Sequence, residues 1–219
     1  MATDFWSPVK LSIEVAAVSG VWVLILGLFF AKLMAKTKFK GKAVLETVFL
    51  LPLVLPPSVV GFLLIVLFGR NSVIGQVIEG IFRQPVMFTW WAAVIASTVV
   101  AFPLMYQSAK AGFEAIDEDI ENAARVDGAN ELQLFLTISI PLALKAIISG
   151  TILSFARALG EFGATLMFAG NIPGKTQTVS TAIYVAMDAG DMSLAWLWVM
   201  CLVGISFSML IVMQLMKSY

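Results

Sequence analysis

The sequence predicts an all-α integral membrane protein of about five transmembrane helices, and three observations carry that prediction. Hydrophobic residues make up 60% of the chain and charged ones 13%, against roughly 45–50% and about 25% in globular proteins, so a soluble domain could not hide this much apolar surface. Five apolar runs, over residues 11–35, 43–68, 86–109, 138–169 and 194–216, are long enough to cross a hydrocarbon core, which takes about 20 helical residues. The runs are continuous rather than alternating, which selects helices over a barrel. Residues 1–219 read as one transmembrane domain without an internal repeat.

Charge and rare residues remove several function classes. Fourteen basic residues balance fourteen acidic ones, leaving no global basic field for nucleic acid. The absence of histidine excludes a Ser-His-Asp triad, a Cys-His dyad and the usual zinc ligand sets. The single cysteine, Cys201, allows neither an internal disulfide nor a Cys-cluster metal site, and it reads as a small hydrophobe. No metal or cofactor is expected.

The first run is long and is followed by no small-residue cleavage pattern, so it reads as a retained span rather than a signal peptide. Glu14 inside it is either hydrogen-bonded in the bundle or close to the outer surface. The end of the run and the connection after it carry Lys32, Lys36, Lys38, Lys40 and Lys42. Placing that loop in the cytoplasm also puts Lys110, Arg125, Lys145 and Lys217 there, nine basic residues against four on the other side: Lys10, Arg70, Arg83 and Lys175. The positive-inside rule therefore expects a multi-pass protein of the cell membrane with its N-terminus outside and its C-terminus cytoplasmic. Trp90, Trp91, Trp196 and Trp198 open the third and fifth runs on the outer side, as an aromatic belt would.

In the second run, Pro52, Pro56 and Pro57 withhold amide donors and should bend or break the helix. A broken helix exposes amides that suit an oxyanion; a simple kink is the plainer outcome. Across 71–84, Val73, Ile74, Val77, Ile78, Ile81 and Phe82 recur at helical spacing. They predict a short helix that lies on the membrane interface or caps the bundle.

The connection over 110–137 is polar and charged on a chain that otherwise avoids charge. Asp117, Glu118, Asp119 and Glu121 crowd the start of a helical pattern, where carboxylates favour the positive end of the helix dipole. Ile116, Ile120 and Ala123/Ala124 form an apolar stripe. Gly128 ends that helix, and Asn130 with Gln133 resembles a capping box opening a second one. This helix-turn-helix is either a brace for the spans or a docking element for a cytoplasmic partner, with small residues that admit a facing groove.

The segment Glu121 to Pro141 resembles the EAA motif of ABC-importer permeases. Ala123-Ala124-Arg125-Val126-Asp127-Gly128-Ala129, eight intervening residues and Ile138-Ser139-Ile140-Pro141 match the family spacing. Asn122 replaces an alanine and Ile140 a leucine. The resemblance implies a coupling helix seated in a cleft of an ATP-hydrolysing subunit, contacted by Glu121, Ala123, Ala124, Asp127, Gly128 and Ala129. Residues 51–61, and 155–165 continuing to 170–174, resemble the molybdate branch, with related versions in sulfate and thiosulfate permeases. The resemblance thus implies an ABC type I importer permease with no enzyme activity of its own. It would import molybdate or tungstate as a homodimer, with a separate ATPase and an external molybdate-binding protein. A sulfate or thiosulfate permease and an ion-coupled secondary transporter are the alternatives.

Arg157 and Glu161 lie one turn apart in the fourth run. Charges in a membrane usually face a bundle interior or a wet cavity, so the two are either part of an anion pathway or a mutually neutralising pair. Ala156, Gly160 and Ala164 form a small-residue ladder on the same run. Residues 170–176 imitate a phosphate loop but have three residues between the glycines instead of four, follow a membrane span and fall on the outer side. They are not expected to bind nucleotide.

Overall fold

The computed structural model describes residues 5–218, with side chains as far as 215. Among these residues the chain is helix and turn without a strand. In chain order the helices are α1 (Trp6–Lys36), α2 (Lys42–Val54), α3 (Pro57–Phe68), α4 (Val73–Phe82), α5 (Trp90–Glu114) and α6 (Glu118–Val126). They continue with α7 (Glu131–Leu134), a π turn (Phe135–Ser139), α8 (Ile140–Leu142), α9 (Leu144–Leu159), α10 (Gly163–Phe168), α11 (Val179–Asp188) and α12 (Met192–Ser218).

The centre of the fold is α1 lying parallel to α5. Trp6, Lys10 and Leu11 line a cleft with Phe88, Thr89 and Trp90, Gly27 faces Met105 and Tyr106, and Lys36 reaches Ile116. The two helices therefore run in step from one end to the other. Small side chains permit this: Ala16, Ala31, Ala92, Ala96, Ala101 and Ala109 are fully buried, and a Cβ on Gly27 would come within 2.5 Å of Met105 Cγ. Helix α9 packs antiparallel on α5, with Gly112 against Ala143 and Ala146 and Gly150 against Ser108. Helix α2 joins them through an aromatic cluster of Phe30, Phe49, Phe102 and Tyr106, with ring centroids 5.0–6.1 Å apart.

Among the described residues, only α1, α5 and α12 are single helices long and apolar enough to cross a membrane; counting each bent pair as one crossing raises the number to five. The second run, 43–68, bends by 118° between α2 and α3. Pro56 has no amide hydrogen to continue α2, and Pro57 occupies the first turn of α3, where its missing donor is harmless. The pair still connects opposite ends of α5: Glu46 sits with Lys110, while Gly69 follows α3 beside Met87. The fourth run, 138–169, is broken twice, by a 78° bend at Ala143 and again at Gly160–Phe162. The small-residue ladder expected there is therefore interrupted after Gly160, and Ala164 belongs to α10, where it packs under Gly61 of α3.

The basic residues segregate by end as their loops require. Lys32 and Lys36 gather with Lys42, Lys110 and the α6–α7 segment where α1 and α5 finish, while Lys10 and Lys175 line the cleft where they start. The side chain of Lys217 lies outside the described residues. Glu14 is half-exposed beside Lys10 in that cleft, near the surface and not inside the bundle. Trp198 donates to the Phe5 carbonyl (3.0 Å) at the same end and stacks on its ring.

Helix α4 is capped by Ser72, whose Oγ accepts from Gly75 N–H (2.8 Å). Its apolar residues Val73, Ile74, Val77, Ile81 and Phe82 are exposed, so α4 does not cap the bundle with them. Gly75 is its one fully buried residue, pressed on the Gly69 carbonyl with no room for a Cβ. Gly75→Ala should lower stability by about 1–3 kcal/mol, because backbone and not a flexible side chain must give way. Thermal unfolding in detergent would measure it, and an unchanged melting temperature would contradict this packing.

Candidate functional site

The α6–α7 segment is built by local capping. Asp117 Oδ1 accepts from Asp119 N–H (2.9 Å) and starts α6, whose first turn carries Glu118, Asp119 and Glu121. At the other end Ala129 N–H reaches the Ala124 carbonyl (3.0 Å) and Gly128 N–H the Arg125 carbonyl (3.1 Å), a Schellman turn. Gly128 takes φ +91°, open to glycine and strained for other residues. Asn130 and Gln133 then cap α7 reciprocally, at 2.9 and 3.0 Å. Arg125 bridges the turn, donating to both Glu131 oxygens and to Asn122.

Residues that face outward from this segment include Ala123, Asp127 and Gly128, with Ala124 and Ala129 half-buried beside them. Val126 is 88% exposed, and Ile120, Leu132 and Leu136 are exposed as well. A polar loop thus presents an apolar, small-residue surface at its tip. Ile116, expected on the same stripe, is buried against the bundle instead.

Glu121 points the other way. It is 2% exposed and is the one fully buried side chain of α6. Its Oε1 accepts from Lys32 Nζ (2.7 Å) and Ser139 Oγ (3.0 Å), and its Oε2 accepts from Lys36 Nζ (3.0 Å). Lys32 Nζ also donates to Ser139 Oγ (2.8 Å) and sits 5.6 Å from the Phe113 ring centroid. Both carboxylate oxygens are therefore engaged within the chain, which separates Glu121 from the outward-facing residues of its motif. Burial pushes the Glu121 carboxyl up, but the hydrogen bonds from Lys32 and Lys36 outweigh it and hold it down at about 2, against 4.5 ordinarily. Ser139 reaches the carboxylate from the π turn, in which Ile140 N–H bonds five residues back to the Phe135 carbonyl. From sequence, Lys32 and Lys36 count only as charge at a cytoplasmic loop. Their i,i+4 spacing places them on one face at the end of α1, and that was the available signal.

Arg157 and Glu161 flank the second break in the fourth crossing. Arg157 Nη1 donates to Glu161 Oε2 (2.6 Å), and Glu161 Oε1 accepts from Ala164 N–H (2.8 Å) at the start of α10. Glu161 lies past the end of α9, so the carboxylate neutralises the arginine and also caps the next helix. The break packs on the other one: a Cβ on Gly163 would come within 2.8 Å of Pro57 Cβ. Residues 170–176 form a turn between α10 and α11 at the end opposite Glu121, with Ile172 N–H donating to Thr176 Oγ1 (2.9 Å). Among the described residues, no group of three acidic or cysteine side chains is placed to hold a metal ion.

Residues 24–218 match the family described as binding-protein-dependent transport system inner membrane component. The chain belongs to this family. YvgM of Bacillus subtilis (strain 168), described provisionally as a molybdenum transport system permease, is 63% identical over 218 residues, covering 100% of this chain and 96% of that one. ModB of Escherichia coli (strain K12), a molybdenum transport system permease protein, is 43% identical over 207 residues, covering 94% and 89%. The crystal structure of a bacterial ABC transporter involved in the import of the acidic polysaccharide alginate superimposes with a TM-score of 0.77 at 14% identity. It covers all of this chain and 80% of that one. The fold of this inner membrane component is that of ABC type I importer permeases.

Two expectations follow for the family member in detergent. Glu121 has a depressed folded pKa, so its contribution to stability is complete above the unfolded value near 4.5 and disappears as pH falls toward 2. Wild type should lose up to about 3 kcal/mol over that window, and Glu121→Gln should show a shallower loss in the same melting series. At the break, Glu161→Ala should destabilise by about 1–3 kcal/mol, since it takes the counter-charge from a partly exposed arginine and leaves the Ala164 amide at the start of α10 without its acceptor. Glu161→Gln keeps an acceptor for Ala164 N–H and should lose less. Equal losses in the two variants would argue against the capping role.

Proposed function

We propose that this chain is the pore-forming permease of an ATP-driven importer of molybdate, with tungstate as a second cargo of the same charge and shape. The observation that carries the reading is the 43% identity to a molybdenum permease over 94% of the chain. Two copies form the pore in the cell membrane, each with its N-terminus outside and its C-terminus in the cytoplasm. The segregation of basic residues to one end supports that orientation. A separate ATP-hydrolysing subunit docks on each coupling segment, and an external molybdate-binding protein delivers the anion at the end bearing Lys10 and Lys175.

Ala123, Ala124, Asp127, Gly128 and Ala129 make the ATPase contact, with exposed Val126 at the tip entering an apolar cleft. Glu121 supports that surface from behind. ATP binding closes the ATPase pair, draws the two coupling segments together and opens the pore outward; hydrolysis resets it. Arg157 and Glu161 border the translocation pathway and hold the break in the fourth crossing, while their mutual neutralisation keeps an anion from being trapped there.

ATP hydrolysis by the copurified complex in liposomes tests the reading. The binding protein is loaded in turn with molybdate, tungstate and sulfate. Stimulation by the first two and not by sulfate is the expected result. A preference for sulfate would keep the mechanism and change the cargo. Failure of the tagged chain to bring down any ATPase would turn attention to an ion-coupled secondary transporter.

A further inference from the structure

We infer that Glu121 is a positioning residue of the transport cycle, tying the coupling helix α6 to the first membrane crossing through a single buried carboxylate. The inference rests on the importer reading above and adds a route by which motion of α6 enters the bundle.

Three features lead to it. First, α6 has no apolar anchor of its own: Glu121 is its one fully buried side chain, while Ile120 and Val126 are exposed. What seats α6 on the bundle is thus charge pairing and not hydrophobic packing. Second, the partners come from two other elements. Lys32 and Lys36 belong to α1, and Ser139 belongs to the π turn that opens the fourth crossing. Lys32 bonds both Glu121 and Ser139, closing a triangle among α6, α1 and the π turn. Third, the neighbouring ion pairs at this end bypass α6. Glu46 bonds Lys110 (2.6 Å) and accepts from Tyr106 (3.3 Å), tying α2 to α5 without touching the coupling helix.

A displacement of α6 is therefore delivered first to α1 and to the start of the fourth crossing. Moving Glu121 alone would leave two ammonium groups without their counter-charge in a largely enclosed site, which is unfavourable enough to make the elements move together. The same burial keeps Glu121 from bonding the ATPase. A contact role and a tying role for this residue thus predict different results.

The test uses the reconstituted complex of the full chain with its copurified ATPase and molybdate-loaded binding protein, and reads ATPase affinity and molybdate transported per ATP. Glu121→Gln, the double variant Lys32→Met/Lys36→Met, and the triple combination are compared. The expected result is ATPase affinity within about threefold of wild type in all of them, and a fall of about tenfold in molybdate per ATP for the first two. The triple should be no worse, because both changes cut the same link. If Glu121→Gln weakens ATPase binding by more than about tenfold while the lysine variants leave it intact, the residue is a docking contact and the inference fails. Unchanged molybdate per ATP in the Glu121 and double-lysine variants overturns it equally. Should Glu121→Gln not insert, Lys36→Met leaves the Lys32 pair in place and reads the same ratio, with a fall of several-fold expected and a wild-type ratio counting against the tie. A wild-type chain that captures no ATPase would instead refute the importer reading itself.

Discussion

The parallel contact between α1 and α5 is the interaction on which the rest of the fold depends. Two helices with large side chains could not lie in step over this length; fully buried alanines and Gly27 let the backbones approach. Lipid gives no hydrophobic reward for bringing helices together, so close packing of small residues supplies the attraction. Once this pair is set, α9 has one face of α5 to pack against and α2 another. The ends of α1 and α5 are brought level, which places Lys32 and Lys36 beside Phe113 and Ile116. The α6–α7 segment packs on a platform already made.

The two broken crossings meet each other rather than breaking at unrelated depths. Pro57 of α3 faces Gly163 of α10, and Gly61 packs against Ala164 and Met167. A helix interrupted in hydrocarbon exposes amides and carbonyls that lipid cannot satisfy. Here the carboxylate of Glu161 takes one such amide, and proline at the start of α3 has none to offer. Small residues on both sides let the two breaks pack in close contact. The charge inside the membrane thus answers a backbone requirement that composition alone does not reveal.

Legibility in the sequence followed the range of the interaction. The α6–α7 segment could be read almost residue by residue, from Gly128 at its turn to the Asn130–Gln133 box, because capping involves neighbours three or four apart. The prolines of the second run announced its bend for the same reason. The break at Gly160–Phe162 was hidden, since Phe155 to Phe168 reads as one apolar run and the amide capped by Glu161 is visible only in three dimensions. Helix α11 passed without notice, being short and lodged between two spans. Glu121 was legible as part of a motif but not in its direction, because its partners Lys32 and Lys36 lie 89 and 85 residues away.

The π turn between Phe135 and Ser139 gives the chain an unusual intolerance of length change. A π turn is in effect one residue added to an α-helix, and each residue added or removed rotates everything beyond it by about 100°. Ser139 must arrive on the Glu121 side and Pro141 must arrive at the bend into α9, so both depend on the same extra residue. Loops elsewhere can absorb an insertion at small entropic cost. The eighteen-residue interval from Glu121 to Ser139 cannot. It behaves as a gauge of fixed length, and related chains that keep this joint should vary in side chains across it while conserving the count.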